Sequence, residues 1–222
     1  MHRNARPVVL ALAGILLLAA APPAAAGTVE PVVALPTGQG EILLRFFPED
    51  APEHVKNFLE HCRSGYYEGC TFHRVIPGFM IQGGDPNSKD DDPRNDGIGG
   101  YSYKGPGTTL KAEFSERRHV RGTLSMARKN HPDTAGSQFF ICQKKKPSLD
   151  RLYTIFGEVI DGIEVVDAII AVPRDRRDRP LEDQVIEEIC VEQWPTARVD
   201  STCAAMKDED KLRRLGQLKE KP

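Results

Sequence analysis

The segment FHRVIPGFMIQGGD occupies residues 72–85 of this chain. It is apolar and aromatic, and Pro77-Gly78 provides a turn signal in its middle. The pattern predicts two short strands, 70–76 and 79–83, joined by that turn.

An arginine stands inside this apolar stretch. Arg74 alternates with Phe72 and Ile76, so all three side chains should lie on one face of the first strand. Met80 and Gln82 should likewise share a face of the second strand. Since burial of an unpaired charge is costly, Arg74 requires either a partner or a function.

Further short strands are predicted on both sides of this stretch. TGQG is typical of a hairpin turn near the N-terminus, and a later strand should carry Gln138 and Phe140 on one face. The strands predicted outside the opening stretch are 32–35, 41–47, 122–127, 137–142, 154–160 and, with a less regular alternation, 183–192.

Two helices are predicted from apolar residues at helical spacing. The first has Asp50 as its cap and ends at Gly65. The second covers DGIEVVDAII, residues 161–170, with Asp161 and Glu164 spaced as a capping box. The residues that should form the buried face of the first helix are Ala51, Val55, Phe58, Leu59 and Cys62.

Many short strands and two helices favour a closed antiparallel barrel or a sandwich. The 222 residues are 40% hydrophobic and 28% charged, which is ordinary for a globular chain with one core domain of about 170 residues. A formal net charge of −2 gives no basic excess, and we therefore expect no binding of nucleic acid.

The two ends of the chain differ from its middle. Basic residues precede an apolar run over residues 8–21, and three alanines end at Ala26. Residues 1–26 are therefore predicted to be a cleaved secretory signal peptide rather than a membrane anchor. Residues 27–194 would form the folded domain, and residues 195–222 a charged extension that is a loose helix or disordered.

Common catalytic signatures are missing from the sequence, including G-x-S-x-G, H-E-x-x-H and the P-loop. His54 and His61 lie on the first predicted helix, and we interpret them as exposed residues rather than as metal ligands. What remains is Arg74 with Gln82 and Gln138 among large apolar side chains. Two interpretations stay open, a barrel core with a paired arginine or an apolar pocket with a few hydrogen-bond donors.

The five cysteines all follow the predicted cleavage site. In an oxidising compartment Cys62–Cys70 and Cys142–Cys190 are conceivable disulfides, and the odd count leaves at least one thiol unpaired within the chain.

Four blocks of sequence resemble the cyclophilin family of peptidyl-prolyl isomerases. They are YYEGCTFHRVIPGFMIQGGDP, GTLSMAR, TAGSQFFIC and SLDRLYTIFGEVIDGIEVVDAI, and APEHVKNFLEHCRSG matches the family's first helix. The resemblance covers residues 30–192 in unbroken order. It implies a mainly β fold, a closed eight-stranded antiparallel β-barrel capped by two α-helices, with peptidyl-prolyl cis-trans isomerase activity.

The resemblance also implies roles for individual residues. Arg74 would be catalytic, and Gln82 and Gln138 would be polar positioning groups. Ala127 and Arg128 would hold the substrate as an extended strand. The walls of the proline pocket would be Phe79, Met80, Phe140 and Leu149. Neither a metal nor a cofactor is implied.

Three positions depart from the family's pattern. Ser148 replaces a tryptophan that usually contacts the drug cyclosporin, so we expect weak cyclosporin binding. Tyr153 replaces a common histidine and is kept as a predicted wall of the pocket, since its ring is apolar and its hydroxyl polar. Arg128 replaces a common asparagine, a change that is tolerable if only the backbone is used and that could add a preference for acidic substrates.

We therefore expect an exported, monomeric isomerase of bacterial character, periplasmic or secreted, that assists the folding of other exported proteins. Its partners would be proline-containing polypeptides. Two other interpretations are a proline-peptide binding module without turnover, and an interaction protein that uses residues 195–222.

Overall fold

The structure, a computed structural model, describes residues 28–214 and the side chains of residues 28–207. The predicted signal peptide lies outside the described residues. Eight β-strands form the centre of the fold: β1 Val29–Thr37, β2 Gly40–Phe46, β3 Arg74–Ile76, β4 Met80–Gly83, β5 Thr123–Met126, β6 Phe139–Cys142, β7 Ile155–Asp161 and β8 Cys190–Pro195.

The eight strands form one antiparallel sheet in the order β3-β4-β6-β5-β7-β2-β1-β8. Within the described part of the chain, the end strands β3 and β8 do not pair with each other. Isolated bridges span the gap instead, since Ile186 N donates to Cys70 O at 2.8 Å and Glu187 N donates to Pro36 O at 2.9 Å.

The prediction of a closed barrel is therefore met in part. Successive N–H groups of an extended segment point to opposite sides, so residues 186 and 187 reach different neighbours. Their contacts link the two ends of the sheet without a continuous ladder. The predicted strand 183–192 is accordingly divided, and the continuous strand β8 begins only at Cys190.

Between residues 28 and 214, three α-helices accompany the sheet: α1 Pro52–Arg63, α2 Ile163–Ala171 and α3 Thr196–Arg214. The apolar residues predicted to form the buried face of the first helix are buried. The predicted caps of both helices are wrong. Asp50 accepts a hydrogen bond from Arg117 Nε at 2.5 Å, and α1 begins after Ala51 without a side-chain cap.

The start of α2 is set by a glycine rather than by a capping box. Asp161 is the last residue of β7, and Gly162 has a φ of 77° between strand and helix. A Cβ at Gly162 would collide with the carbonyl oxygen of Glu41. The strand therefore passes directly into the helix, and only glycine fits the connection.

The histidines of α1 are buried, which corrects their interpretation as exposed residues. His54 Nδ1 lies 2.6 Å from Glu113 Oε2, and His61 Nε2 lies 3.0 Å from Tyr101 O. The buried face of α1 is thus wider than its apolar residues indicate.

All five cysteines are free thiols, so neither conceivable disulfide is present. Cys142 is buried while Cys190 is exposed on β8. Burial raises the pKa of the Cys142 thiol to about 12.

The two faces of the adjacent strands β4 and β6 pack into different clusters of side chains. Ile81, Phe139 and Ile141 belong to the main core, whereas Met80 and Phe140 belong to a second cluster. This alternation has a period of two, as expected for strands. The prediction that Met80 shares a face with Gln82 is confirmed, since Gln82 lies opposite Phe140 in the register and Phe140 clusters with Met80. Gln138 lies on the same side, where it accepts a hydrogen bond from Gln82 Nε2.

The expectation that Phe72 shares a face with Arg74 and Ile76 is wrong. Phe72 is fully buried in the main core, where its ring meets that of Phe139 edge-on at 6.1 Å. The strand β3 begins only at Arg74, so the alternation does not extend back to residue 72.

The third helix packs on the sheet through a small separate core. Val199 and Cys203 are buried with Trp194 against Val32 and Ile160. Of the two alternatives for the C-terminal extension, the structure shows a helix over residues 196–214. None of the helices within the described ranges is long and apolar enough to cross a membrane.

Candidate active site

One face of β4 and β6 carries an apolar cluster that we call the wall cluster. Met80, Phe140 and Cys142 form its buried base. The partly buried residues packed against this base are Ile76, Phe79, Ala127, Leu149 and Tyr153. Every predicted wall residue belongs to this cluster.

Local turns bring two of the walls together. The segment Pro147–Leu149 is a short 3₁₀-helix, and Tyr153 N donates to Leu149 O at 3.3 Å. Leu149 and Tyr153 therefore come from one compact loop. The ring of Tyr153 meets the ring of Phe140 edge-on, with centroids 5.8 Å apart and an interplanar angle of 83°.

A row of polar side chains runs beside the wall cluster. Arg74 lies opposite Gln82 in the antiparallel register, and its Nη1 donates to Gln82 Oε1 at 3.4 Å. Gln82 Nε2 donates to Gln138 Oε1 at 2.9 Å, and Gln138 Nε2 donates to Gly99 O at 2.8 Å. Each amide is thus oriented by the next, and the row presents a carbonyl oxygen to Arg74.

Arg74 is half-buried and loosely held. Its bond to Gln82 is longer than the usual range for an N–H donor. No carboxylate forms an ion pair with Arg74 among the side chains of residues 28–207. The structure therefore favours an apolar pocket with a few donors over a core arginine paired with an acid.

The segment after β5 forms another edge of the wall cluster. Ala127 N donates to Gln138 O at 2.9 Å, which ties this edge to the polar row. The Arg128 guanidinium lies over the Tyr153 ring, 4.5 Å from its centroid. It donates to the carbonyl oxygens of Leu152, Lys129 and Asn130.

Two residues behind the walls, His119 and Asp150, were not found from the sequence. His119 is buried beside Phe140, with its Nδ1 3.1 Å from Asp150 Oδ1 and its Nε2 3.1 Å from Ser125 Oγ. Burial lowers the pKa of His119 and outweighs the opposing hydrogen bond to Asp150. No spacing in the sequence indicates a contact between residues 31 positions apart.

Comparison with known proteins agrees with this geometry. Residues 32–191 match the family model described as cyclophilin type peptidyl-prolyl cis-trans isomerase/CLD. The chain is 44% identical over 169 residues to the peptidyl-prolyl cis-trans isomerase-like 3 proteins of Rattus norvegicus and Homo sapiens, covering 75% of this chain and 99% of each relative.

A solved structure is similar in fold. The crystal structure of a Cryptosporidium parvum cyclophilin type peptidyl-prolyl cis-trans isomerase is 36% identical, with a TM-score of 0.67 and coverage of 74% of this chain and 98% of that chain. A second structure of that protein, in the presence of the dipeptide Ala-Pro, gives a TM-score of 0.66 at 36% identity and covers 72% of this chain and 98% of that chain. The family resemblance seen in the sequence is thereby confirmed, and the chain belongs to the cyclophilin-type peptidyl-prolyl cis-trans isomerases.

Proposed function

We propose that Arg74 catalyses rotation about X-Pro peptide bonds whose proline lies against the wall cluster. The observation that carries this proposal is a cation beside an apolar surface, held by one long hydrogen bond to Gln82. A cation with no acidic partner in the described part of the chain keeps donors free for a substrate.

The chemistry follows from the electronic structure of the peptide bond. Partial double-bond character gives a rotation barrier of about 18–20 kcal/mol. In the twisted state conjugation is lost, and the proline nitrogen carries a free lone pair. A hydrogen bond from Arg74 to that nitrogen stabilises the twisted state more than either planar form, which is differential binding of the transition state.

The surroundings of Arg74 strengthen this effect. Phe79, Met80, Phe140, Leu149 and Tyr153 would grip the proline ring and exclude water, so that the arginine acts in a medium of low polarity. Gln82 and Gln138 would hold Arg74 in place. The backbone of Ala127 and Arg128 would bind the substrate as an added strand.

A modest lowering of the barrier is sufficient for useful catalysis. Uncatalysed exchange takes tens to hundreds of seconds. Lowering the barrier by about 5 kcal/mol brings exchange to tens of milliseconds.

The test compares wild type with Arg74→Ala in exchange of an Ala-Pro peptide, with circular dichroism to check folding. We expect strong acceleration that falls by about 100-fold or more in the variant. Arg198→Ala is the matched control, because Arg198 is an exposed arginine on α3. Unchanged turnover in a folded Arg74→Ala protein would refute the assignment. Saturable peptide binding without acceleration by wild type would favour the binding-module interpretation.

We further propose that the enzyme is exported as a monomer and assists the folding of proteins in the periplasm or outside the cell. The apolar run before Ala26 supports export. Mass spectrometry of the protein from a producing cell should find Gly27 as the first residue, and light scattering should give one chain per particle. An intact N-terminus on protein recovered from the cytosol would contradict this setting.

A further inference from the structure

Two cations border the wall cluster, each over an aromatic ring that belongs to it. Lys146 Nζ is 5.0 Å from the centroid of Phe79, and Arg128 Cζ is 4.5 Å from the centroid of Tyr153. Both rings pack against the base formed by Met80 and Phe140. The two charges therefore flank the surface on which we place the substrate's proline.

Neither charge is neutralised by a protein carboxylate within the side chains that the structure describes. The neighbouring Arg118 and Arg151 differ, since they form ion pairs with Asp150 and Glu116. All the partners found for the Arg128 guanidinium are carbonyl oxygens or the Tyr153 ring. These contacts fix the position of the guanidinium but leave its positive charge uncompensated.

The surrounding sequence adds charge of the same sign. Lys129 follows Arg128, and Lys144 and Lys145 precede Lys146. These three side chains are exposed, and among the described side chains none forms an ion pair with a carboxylate. Asp150 is the nearby acid, and it is engaged by His119 and Arg118. The wall cluster is thus bordered by the uncompensated charges of Arg128 and Lys146, with further lysines next to them in the sequence, although the whole chain has a net charge of −2.

We propose that Arg128 and Lys146 determine specificity by favouring proline segments that carry an acidic side chain next to the proline. This inference rests on the proposed function. A carboxylate beside the wall cluster gains attraction from both charges, and these charges also accelerate the encounter with an anionic segment.

Each exposed charge contributes little binding free energy. We therefore expect a graded preference for acidic peptides rather than an absolute requirement for them. A single exposed ion pair changes an equilibrium by about two- to fivefold. Two such pairs predict that a glutamate peptide is preferred over a lysine peptide by about five- to twentyfold at low salt. The ratio should shrink at high salt, since exposed charges are screened.

The test measures kcat/KM for peptides that differ only in one residue, glutamate, glutamine or lysine, placed immediately before or immediately after the proline. In either series we expect the order glutamate, glutamine, lysine in wild type. The double variant Arg128→Gln with Lys146→Gln should lower the glutamate-to-lysine ratio to about twofold or less, the remainder coming from Lys129, Lys144 and Lys145. Ratios within one protein cancel any general loss of activity caused by the Arg128 substitution.

Two further variants separate charge from shape. The double variant Arg128→Lys with Lys146→Arg keeps both charges and should retain most of the preference. Lys56→Gln is the matched control. Lys56 lies on α1 outside the wall cluster, and its Nζ is likewise over an aromatic ring, 4.8 Å from the centroid of Tyr103. This control should leave the ratio unchanged.

The inference is overturned if wild type shows ratios within about twofold in both series, or if the charge-neutral double variant keeps the wild-type ratio. Its failure is distinct from failure of the proposed function. A glutamine peptide turned over without charge preference rejects only the inference, whereas no turnover of any peptide rejects the function.

Discussion

The imidazole ring of His119 lies nearly parallel to the ring of Phe140, with centroids 6.1 Å apart and an interplanar angle of 13°. The same imidazole contacts Asp150, whose loop carries the walls Leu149 and Tyr153. His119 therefore joins a wall contributed by a strand to walls contributed by a loop. Substitutions here should act on the pocket without touching the substrate.

Asp150→Ala should weaken both the fold and substrate binding. It removes the acceptor of the His119 backbone N–H, which donates to Asp150 Oδ1 at 2.7 Å, and a buried donor left unsatisfied costs about 1–3 kcal/mol. We expect KM to rise more than kcat falls, because the loop that carries two walls is released. Asp150→Asn keeps an acceptor oxygen and should recover most of both losses. Urea unfolding and peptide kinetics measure the two effects, and an unchanged KM in Asp150→Ala would show that the contact does not position the walls.

Stability should fall as the pH is lowered from neutral towards about 5.5. Burial lowers the pKa of His54, His61, His73 and His119 below the ordinary value of 6.5. Since the unfolded chain then binds more protons than the folded one, stability is lost as the pH falls through 6.5 towards the folded pKa values.

Urea unfolding at about pH 7.5 and about pH 5.5 measures this slope. His61→Gln removes one of the four groups and should flatten the dependence of stability on pH. Equal stability of wild type at both pH values would show that these histidines do not contribute in this way.

Val199→Ala should destabilise the protein without changing its activity. Val199 is fully buried between α3 and the sheet, and loss of its two methyl groups costs about 1–3 kcal/mol. None of the residues that it packs with belongs to the wall cluster. The free energy of unfolding should fall while kcat/KM at a permissive temperature stays the same. A variant as stable as wild type would indicate that α3 is detached in solution.

Cyclosporin should bind weakly while isomerisation persists. Ser148 is exposed, and the family resemblance implies that it replaces a tryptophan that contacts the drug; a serine offers little apolar surface. Inhibition of peptide exchange by titrated cyclosporin measures the affinity. Ser148→Trp should tighten inhibition by about tenfold or more through the apolar area that it adds. Nanomolar inhibition of wild type would contradict this expectation.

Local pattern was sufficient for most of the architecture. The strands around Pro77-Gly78 and the buried face of α1 follow from alternation and helical spacing, both of which depend on nearby residues. The caps were mispredicted because Asp50 and Asp161 have other roles, an ion pair with Arg117 and the last position of β7. Such competition between local and long-range partners is not visible in the sequence.

The candidate site was likewise predicted only in part from the sequence. The family resemblance placed Arg74 and the wall residues, and the structure brings them together. The support provided by His119 depends on contacts across 21 positions to Phe140 and 31 to Asp150, which no local pattern encodes. Lys146 was missed because the sequence does not show that its ammonium group lies over the Phe79 ring.

One face of β4 and β6 packs in the main core and the other in the wall cluster, and this restricts where residues can be inserted or deleted in the chain. One residue inserted into or deleted from 80–83 or 139–142 would exchange the two faces, sending Ile81 or Phe139 outward and Met80 or Phe140 inward. The long loop between Gly83 and Thr123 contains no strand whose alternating faces an insertion would exchange. Natural and engineered relatives should therefore vary in length within that loop, while both strands keep an invariant residue count.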